Sequence, residues 1–295
     1  PASEEFGETV EKAIRWLVDN RDNSGGWNRR YQHAIATYAL CEAYALTKVP
    51  MLKEVAEEAI DIIIQGQRPT GGWRYTFTAK DAVDDTSCMA WCAQALKAAK
   101  MGGIERPRLD ESWKLAIEGF KGNAHPEGGF GYTSPGRRGL TSAGVLCMQL
   151  LGASKDEATQ KGLLFMQDWT YDWENPLDQG RSPVYYWYYA TQAKFHAGGD
   201  AWNKWNNMFA KELVENQIIE EGAGVNGNDI GYWKSPSENE HHDKALDGAI
   251  MDTCLSALQL QVYYRYLPTY KPPKDIEEEI EIASEDEDIE IEISL

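Results

Sequence analysis

A Gly-Gly-aromatic turn recurs along this chain, each time between an amphipathic helical segment and a more uniformly apolar one. It reads "DNSGGWN", "RPTGGWRY", "HPEGGFGY" and, in a weaker form, "NDIGYWKSP". The aromatic residues are Trp27, Trp73, Phe130 and Trp233, at separations of 46, 57 and 103 residues. The last gap spans two periods, so a degenerate unit is expected between them. "LLFMQDWTYDWENPLDQGRSPVYYWYYATQAKF" supplies a helix, a loop and a helix without the glycine pair. Self-similarity at such a period is the mark of a repeat architecture, in which each unit buries its apolar face only against its neighbours.

Every unit begins with an amphipathic helix, as over residues 8–19 and in "EVAEEAIDIIIQ" at 54–65. The second helices, "HAIATYALCEAYAL", "TSCMAWCAQALKAA", "TSAGVLCMQLL", "YYWYYATQAKF" and "DGAIMDTCLSALQLQVYYRYL", are apolar on nearly every side. A helix apolar all round is buried, whereas an amphipathic one faces water on one side. The pattern therefore predicts an all-α fold: an α/α toroid of about five helical hairpins with inner and outer layers, over residues 1–268. Paired glycines permit positive φ in the turn. They let Trp27, Trp73 and Phe130 fold back as staples over the helix ends.

After Pro268 the pattern changes. "YKPPKD" reads as an extended linker, and "IEEEIEIASEDEDIEIEISL" alternates Ile with Glu. Ile280, Ile282, Ile289, Ile291 and Ile293 share one face at period two, which predicts a small acidic β-hairpin or tail over 269–295. Self-association through that hairpin is one partner expectation. The net charge of -18 argues against nucleic acid or an anionic membrane surface as partner. No run is long enough to span a bilayer, and no signal peptide is visible. Starting at Pro1, the sequence reads as a processed chain or a fragment, and its compartment, bacterial cytoplasm or cell envelope, is left open. Cys41, Cys88, Cys92, Cys147 and Cys254 lie in apolar helical runs without framework spacing, as buried small hydrophobes do.

The turns and paired helices resemble the repeat of squalene-hopene cyclases, oxidosqualene cyclases and protein prenyltransferase β subunits, over nearly the whole chain to Pro268. Closer still, "YQHAIATYALCEAYALT", "GGWRY", "DDTS", "LTSAGVLCMQLLGA", "YYWYYATQAKFHAGGDAWNKWN" and "VYYRYLPTY" look like an uncharacterised bacterial group of prenyltransferase/squalene-oxidase repeat proteins, frequent in planctomycetes. The resemblance implies the α/α toroid. It also implies that Asp84, in Ala82-Val83-Asp84-Asp85-Thr86, corresponds to the cyclases' proton-donating aspartate. Ala82 stands where those enzymes carry a further Asp, with Asp81 one position earlier. Prenyltransferases hold zinc with Asp, Cys and His. Asp84 or Asp85 and Cys88 lie near the first two, but Ile250 stands where the His belongs, and His241 and His242 fall upstream. That resemblance therefore implies no metal and no cofactor here. A more distant likeness to α/α-barrel pectate lyases would call on calcium and on Arg74, Arg137 or Arg138.

Just ahead of an apolar helix, Asp85 is placed to cap the first turn, and Asp84 is a surplus acid. The turn ends converge on one face of a toroid and would gather the candidate catalytic pair Asp84 and Asp85. Tyr31, His33, Tyr75, Arg137, Tyr185 and Tyr186 are the candidate ligand-binding residues there. Three functions are weighed. The first is a non-catalytic toroid that binds a small apolar molecule or a protein partner at its rim. The second is a cyclase-like or prenyl-binding enzyme with Asp84 as general acid, and the third is a pectate lyase-like enzyme. The incomplete acid set and zinc set favour the first.

Overall fold

The computed structural model describes residues 6–27, 31–80, 83–179, 182–236 and 246–264. The acidic extension, His241 and His242 lie outside the described residues. Among the described residues ten α-helices form five hairpins. The outer helices are α1 (Gly7–Asp19), α3 (Pro50–Gly66), α5 (Leu109–Gly122), α7 (Glu157–Phe165) and α9 (Gly199–Glu215). The inner helices are α2 (Tyr31–Thr47), α4 (Thr86–Gly102), α6 (Leu140–Leu150), α8 (Pro183–Ala197) and α10 (Leu246–Leu260). The inner helices pack in succession, α2 on α4, α4 on α6, α6 on α8 and α8 on α10. Each of α3, α5, α7 and α9 lies over the inner helix that precedes it.

Composition decides the layer. Helix α6, "LTSAGVLCMQL", is buried along its whole length, while α1 buries only Gly7 and carries exposed ion pairs such as Lys12–Glu8. Small residues allow inner helices to approach: Ala90, Ala93, Ala95, Ala98 and Ala99 of α4 have no exposed surface. Capping fixes the boundaries. Asp85 begins α4, and Gly103, at φ 80°, ends it with amide bonds to the Ala99 and Lys100 carbonyls. Pro50 and Pro183 occupy first turns, where a missing N–H costs nothing.

The turn aromatics are indeed staples. Trp27 Nε1 donates to the Leu17 carbonyl at 3.0 Å and Trp73 Nε1 to Ile63 at 2.7 Å, each reaching ten residues back to the outer helix. Phe130 has no N–H and packs edge-on against Phe120, ring centres 6.5 Å apart. Trp233 donates to Leu213 at 2.7 Å across twenty residues, because β1 (Ile218–Glu220) and β2 (Ile230–Tyr232) form a short antiparallel hairpin in between. The helical reading did not anticipate that hairpin. In the degenerate unit, Tyr171 takes the staple's place, stacking on Trp187 at 4.0 Å and meeting Trp205 edge-on.

Gly71 shows why glycine is required. Its φ is 101°, and a Cβ there would lie 1.9 Å from the Leu115 carbonyl oxygen of α5. The turn of one hairpin thus abuts the backbone of the next hairpin's outer helix.

Candidate functional site

A cavity of about 390 Å³ lies between the first and last inner helices. Tyr31, Ile35, Tyr38, Ala39 and Glu42 of α2 form one wall. They recur at three- and four-residue intervals and so share one helix face. Met251, Cys254, Leu255 and Leu258 of α10 form the opposite wall in the same way, and Trp91 of α4 and Tyr185 of α8 complete the lining. Trp91 is held by stacking on Tyr188 at 5.9 Å and by an edge contact with Tyr189. The surface is overwhelmingly apolar, with Glu42 as its one carboxylate among the described residues.

At the turn end of the cavity stands a network of hydroxyls. Asp85 Oδ1 accepts from the amides of Ser87 (2.9 Å) and Cys88 (3.2 Å) and from Ser87 Oγ (2.5 Å). The Tyr31 hydroxyl meets Ser87 Oγ at 2.8 Å and the Tyr75 hydroxyl at 3.1 Å. Tyr75 continues to Tyr132 at 2.9 Å. Burial, with the nearby Tyr185, holds the Tyr31 phenol well above its usual range. Burial also raises Tyr132, helped by its bond to Tyr75 and by the Asp85 carboxylate beside it. Both remain neutral phenols under ordinary conditions.

Asp84 is placed differently from its neighbour. Its carboxylate forms a buried ion pair with Arg68, the two side chains 9% and 12% exposed. It lies over Gly72, where a Cβ would come within 2.3 Å of its Cγ. Asn123 Nδ2 holds this segment of the turn by donating to the Asp84 carbonyl (3.3 Å) and to Thr86 Oγ1 (3.0 Å). Neither aspartate is among the residues that line the cavity.

The structure thus brings Tyr31, Tyr75, Tyr185 and Asp85 together and leaves the other candidates elsewhere. His33 is buried behind α2, where Nε2 donates to the Ala59 carbonyl at 3.0 Å and the ring sits between Trp27 and Phe77. It ties α2 to α3. Tyr186 points away from the cavity, donating to the Leu177 carbonyl at 3.1 Å and packing on Trp169. Of the two candidates in "YYWYY", Tyr185 lines the cavity and Tyr186 does not, because α8 is enclosed by neighbours on its other sides. Arg137 lies over the Phe165 ring at 4.6 Å and pairs with Glu127 at 3.2 Å. Cys254 departs from the buried-cysteine reading, being exposed on the α10 wall.

Sequence reasoning missed Trp91, Tyr38, Glu42 and the α10 stripe. The last had a signal, since Met251, Cys254, Leu255 and Leu258 follow helical periodicity beside the seam of the ring. Among the described residues no three His, Cys, Asp or Glu side chains cluster to hold a metal, and no helix is long and apolar enough to cross a membrane.

Hairpins in two layers around an aromatic central cavity define the α/α-toroid fold. No protein-family profile matches the chain, and no curated protein does. Among solved structures it is similar to the type II terpene cyclase MstE from Scytonema in complex with geranylgeranyl dihydroxybenzoate. The TM-score is 0.59 at 14% identity, over 90% of this chain and 74% of that one. It is equally similar to an alpha-1,6-mannanase of glycoside hydrolase family 76 from Salegentibacter, an inactive variant in complex with a mannotetrose. There the TM-score is 0.59 at 14% identity, over 91% and 84% of the chains. A family 76 mannosidase from Bacteroides thetaiotaomicron gives 0.62 at 9% identity, over 96% and 88%. At these identities the likeness establishes the fold.

Proposed function

We propose that this toroid binds a small apolar molecule in the cavity between α2 and α10, without performing acid chemistry on it. The observation that carries this reading is the cavity itself. At about 390 Å³ it falls within the roughly 300–1,000 Å³ range of small-molecule sites, which are apolar with a few placed polar groups. The cyclase-like reading would need the Asp84–Asp85 pair to present a proton to the ligand. Asp84 is instead engaged by Arg68, and Asp85 Oδ1 by three donors at the start of α4. That commitment supports binding over catalysis, although one of the similar folds belongs to a cyclase.

Titration with the neutral apolar fluorophore Nile red tests the reading. Saturable one-site binding is expected. Ala39→Trp, a change on the accessible wall of α2, should weaken it at least tenfold while leaving the melting temperature close to the parent. Binding indifferent to that substitution would place the ligand elsewhere and overturn the proposal.

A further inference from the structure

We infer that a second copy of this chain docks against the two end helices, α1 of each copy lying over α10 of the other. The repeat itself supplies the reason. Helices α3, α5, α7 and α9 each rest on the inner helix that precedes them. Among the described residues no inner helix precedes α1 and no outer helix follows α10. The end helices are thus the unmatched halves of a contact that the rest of the chain makes four times.

The staples align α1 with α3 residue by residue. Trp27 donates to the Leu17 carbonyl and Trp73 to that of Ile63, so Val10, Ala13 and Trp16 correspond to Ala56, Ala59 and Ile62, each 46 residues on. Ala56 and Ala59 have no exposed surface, and Ile62 is half-buried. Val10 and Trp16 are 42% and 60% exposed, and Ala13 is exposed as well. Recurring every three residues, these three form one ridge. On its other flank α1 packs through Ile14, Leu17 and Val18 on the small core that includes Leu40, Leu52 and Val55. Its apolar arc is wider than its own hairpin covers.

Helix α10 aligns with α6 in the same way. Thr141 Oγ1 accepts the amide of the turn aromatic Phe130 at 3.1 Å, and Thr253 Oγ1 accepts that of Trp233 at 3.1 Å. One turn beyond Thr141, Val145 is fully buried against α7, where a Cβ on Gly162 would come within 2.5 Å of its Cγ2. The matching residue of α10 is Ala257, which is half-buried. On the same face Ile250 is 53% exposed and Gln261 is exposed. Val10, Ala13, Trp16, Ile250, Ala257 and Gln261 are all uncharged, and α1 keeps its ion pairs, Lys12–Glu8 and Arg15–Glu11, on its opposite side. Two chains of net charge -18 can therefore meet here without close like charges, and repulsion from the rest is screened beyond about 8 Å. A twofold arrangement satisfies the end helices of both copies at once, with Trp16 as the aromatic anchor.

Sedimentation velocity of the full chain tests the inference. The parent should dimerise in the roughly micromolar range. Trp16→Glu and Ile250→Glu, both at exposed positions, should each raise the dimer dissociation constant at least about tenfold while leaving the circular dichroism unchanged. Trp16→Glu mixed with Ile250→Lys should pair again, because the new charges meet across the interface. With Cys254 replaced by Ser, the remaining native cysteines are buried. In that background, mixing Val10→Cys chains with Gln261→Cys chains under mild oxidation should give a disulfide-linked pair. A parent that stays monomeric up to about 0.1 mM would overturn the inference, as would a dimer that both glutamate variants leave intact. So would a double variant, Val10→Cys with Gln261→Cys, whose disulfide closes within one chain, since α1 would then cover its own α10.

Discussion

Replacing Asp84 asks whether its carboxylate holds the turn or works on a ligand. The Arg68 and Asp84 side chains are 12% and 9% exposed, so neither charge is well solvated once its partner goes. Removing one member of a buried pair costs about 3–5 kcal/mol, whereas replacing both with apolar groups of similar shape is often neutral. Arg68 Nε is already buried without a partner among the described residues, which leaves little to compensate a lost carboxylate. Asp84→Leu should therefore lower the melting temperature by roughly 6–20 °C, taking about 2–4 °C per kcal/mol for a chain of this size. Arg68→Met should do the same. The double variant should recover much of the loss, with a coupling of at least about 1 kcal/mol in urea unfolding followed by circular dichroism. Because Asp84 is absent from the cavity lining, ligand affinity of Asp84→Leu, measured well below its melt, should stay within about twofold of the parent. Melting unchanged to within about 0.5 kcal/mol, together with lost binding or turnover, would refute the reasoning and return Asp84 to a reactive role.

Gly71→Ala sets a Cβ 1.9 Å from a backbone oxygen at a φ of 101°. It should cost more than about 3 kcal/mol in the same unfolding assay, far beyond the roughly 1 kcal/mol of an ordinary substitution. Two buried lysines should also contribute stability that grows with pH on the alkaline side. Burial depresses both Lys97 and Lys194 to about 8 from 10.5. Above pH 8 the unfolded chain therefore binds more protons at these sites than the folded one, and their contribution climbs until the unfolded lysines deprotonate. The buried thiols of Cys41, Cys92 and Cys147, raised by burial, act in the opposite direction, so the difference between parent and variant isolates the lysine. The stability of Lys97→Met relative to the parent should fall progressively between pH 8 and 10, and a difference that stays constant across that window would contradict the prediction.

The layers were legible because they rest on one comparison, apolar all round against apolar on one side, which needs no knowledge of neighbours. Trp27, Trp73 and Phe130 were legible for a similar reason, since a Gly-Gly-aromatic turn has few other uses. The site was harder to read. The first half of α8, from Pro183 to Ala190, is apolar or aromatic at every position, so nothing in "YYWYY" says that Tyr185 borders a cavity while Tyr186 bonds Leu177. The role of Asp84 turned on Arg68, sixteen residues away across a turn, a pairing that local capping rules do not reach. His33 shows the same limit, because its partner is a carbonyl on α3.

The contact between Gly71 and α5 also gives the ring a direction. Gly128, at φ 93°, stands against the Lys161 carbonyl of α7 in the same way, and Gly25, at φ 81°, meets the Glu58 side chain of α3. Each turn is completed by the unit that comes after it. The fourth turn meets α9 through Tyr171 and its rings instead. Beyond the fifth turn no outer helix follows α10 among the described residues, and there the sequence reads Ile230-Gly231-Tyr232-Trp233, without a glycine pair. A glycine pair therefore works as a forward-facing socket. A hairpin grafted after α10 would need the second glycine of the pair restored at Tyr232, and a hairpin excised from the middle would leave a socket unfilled.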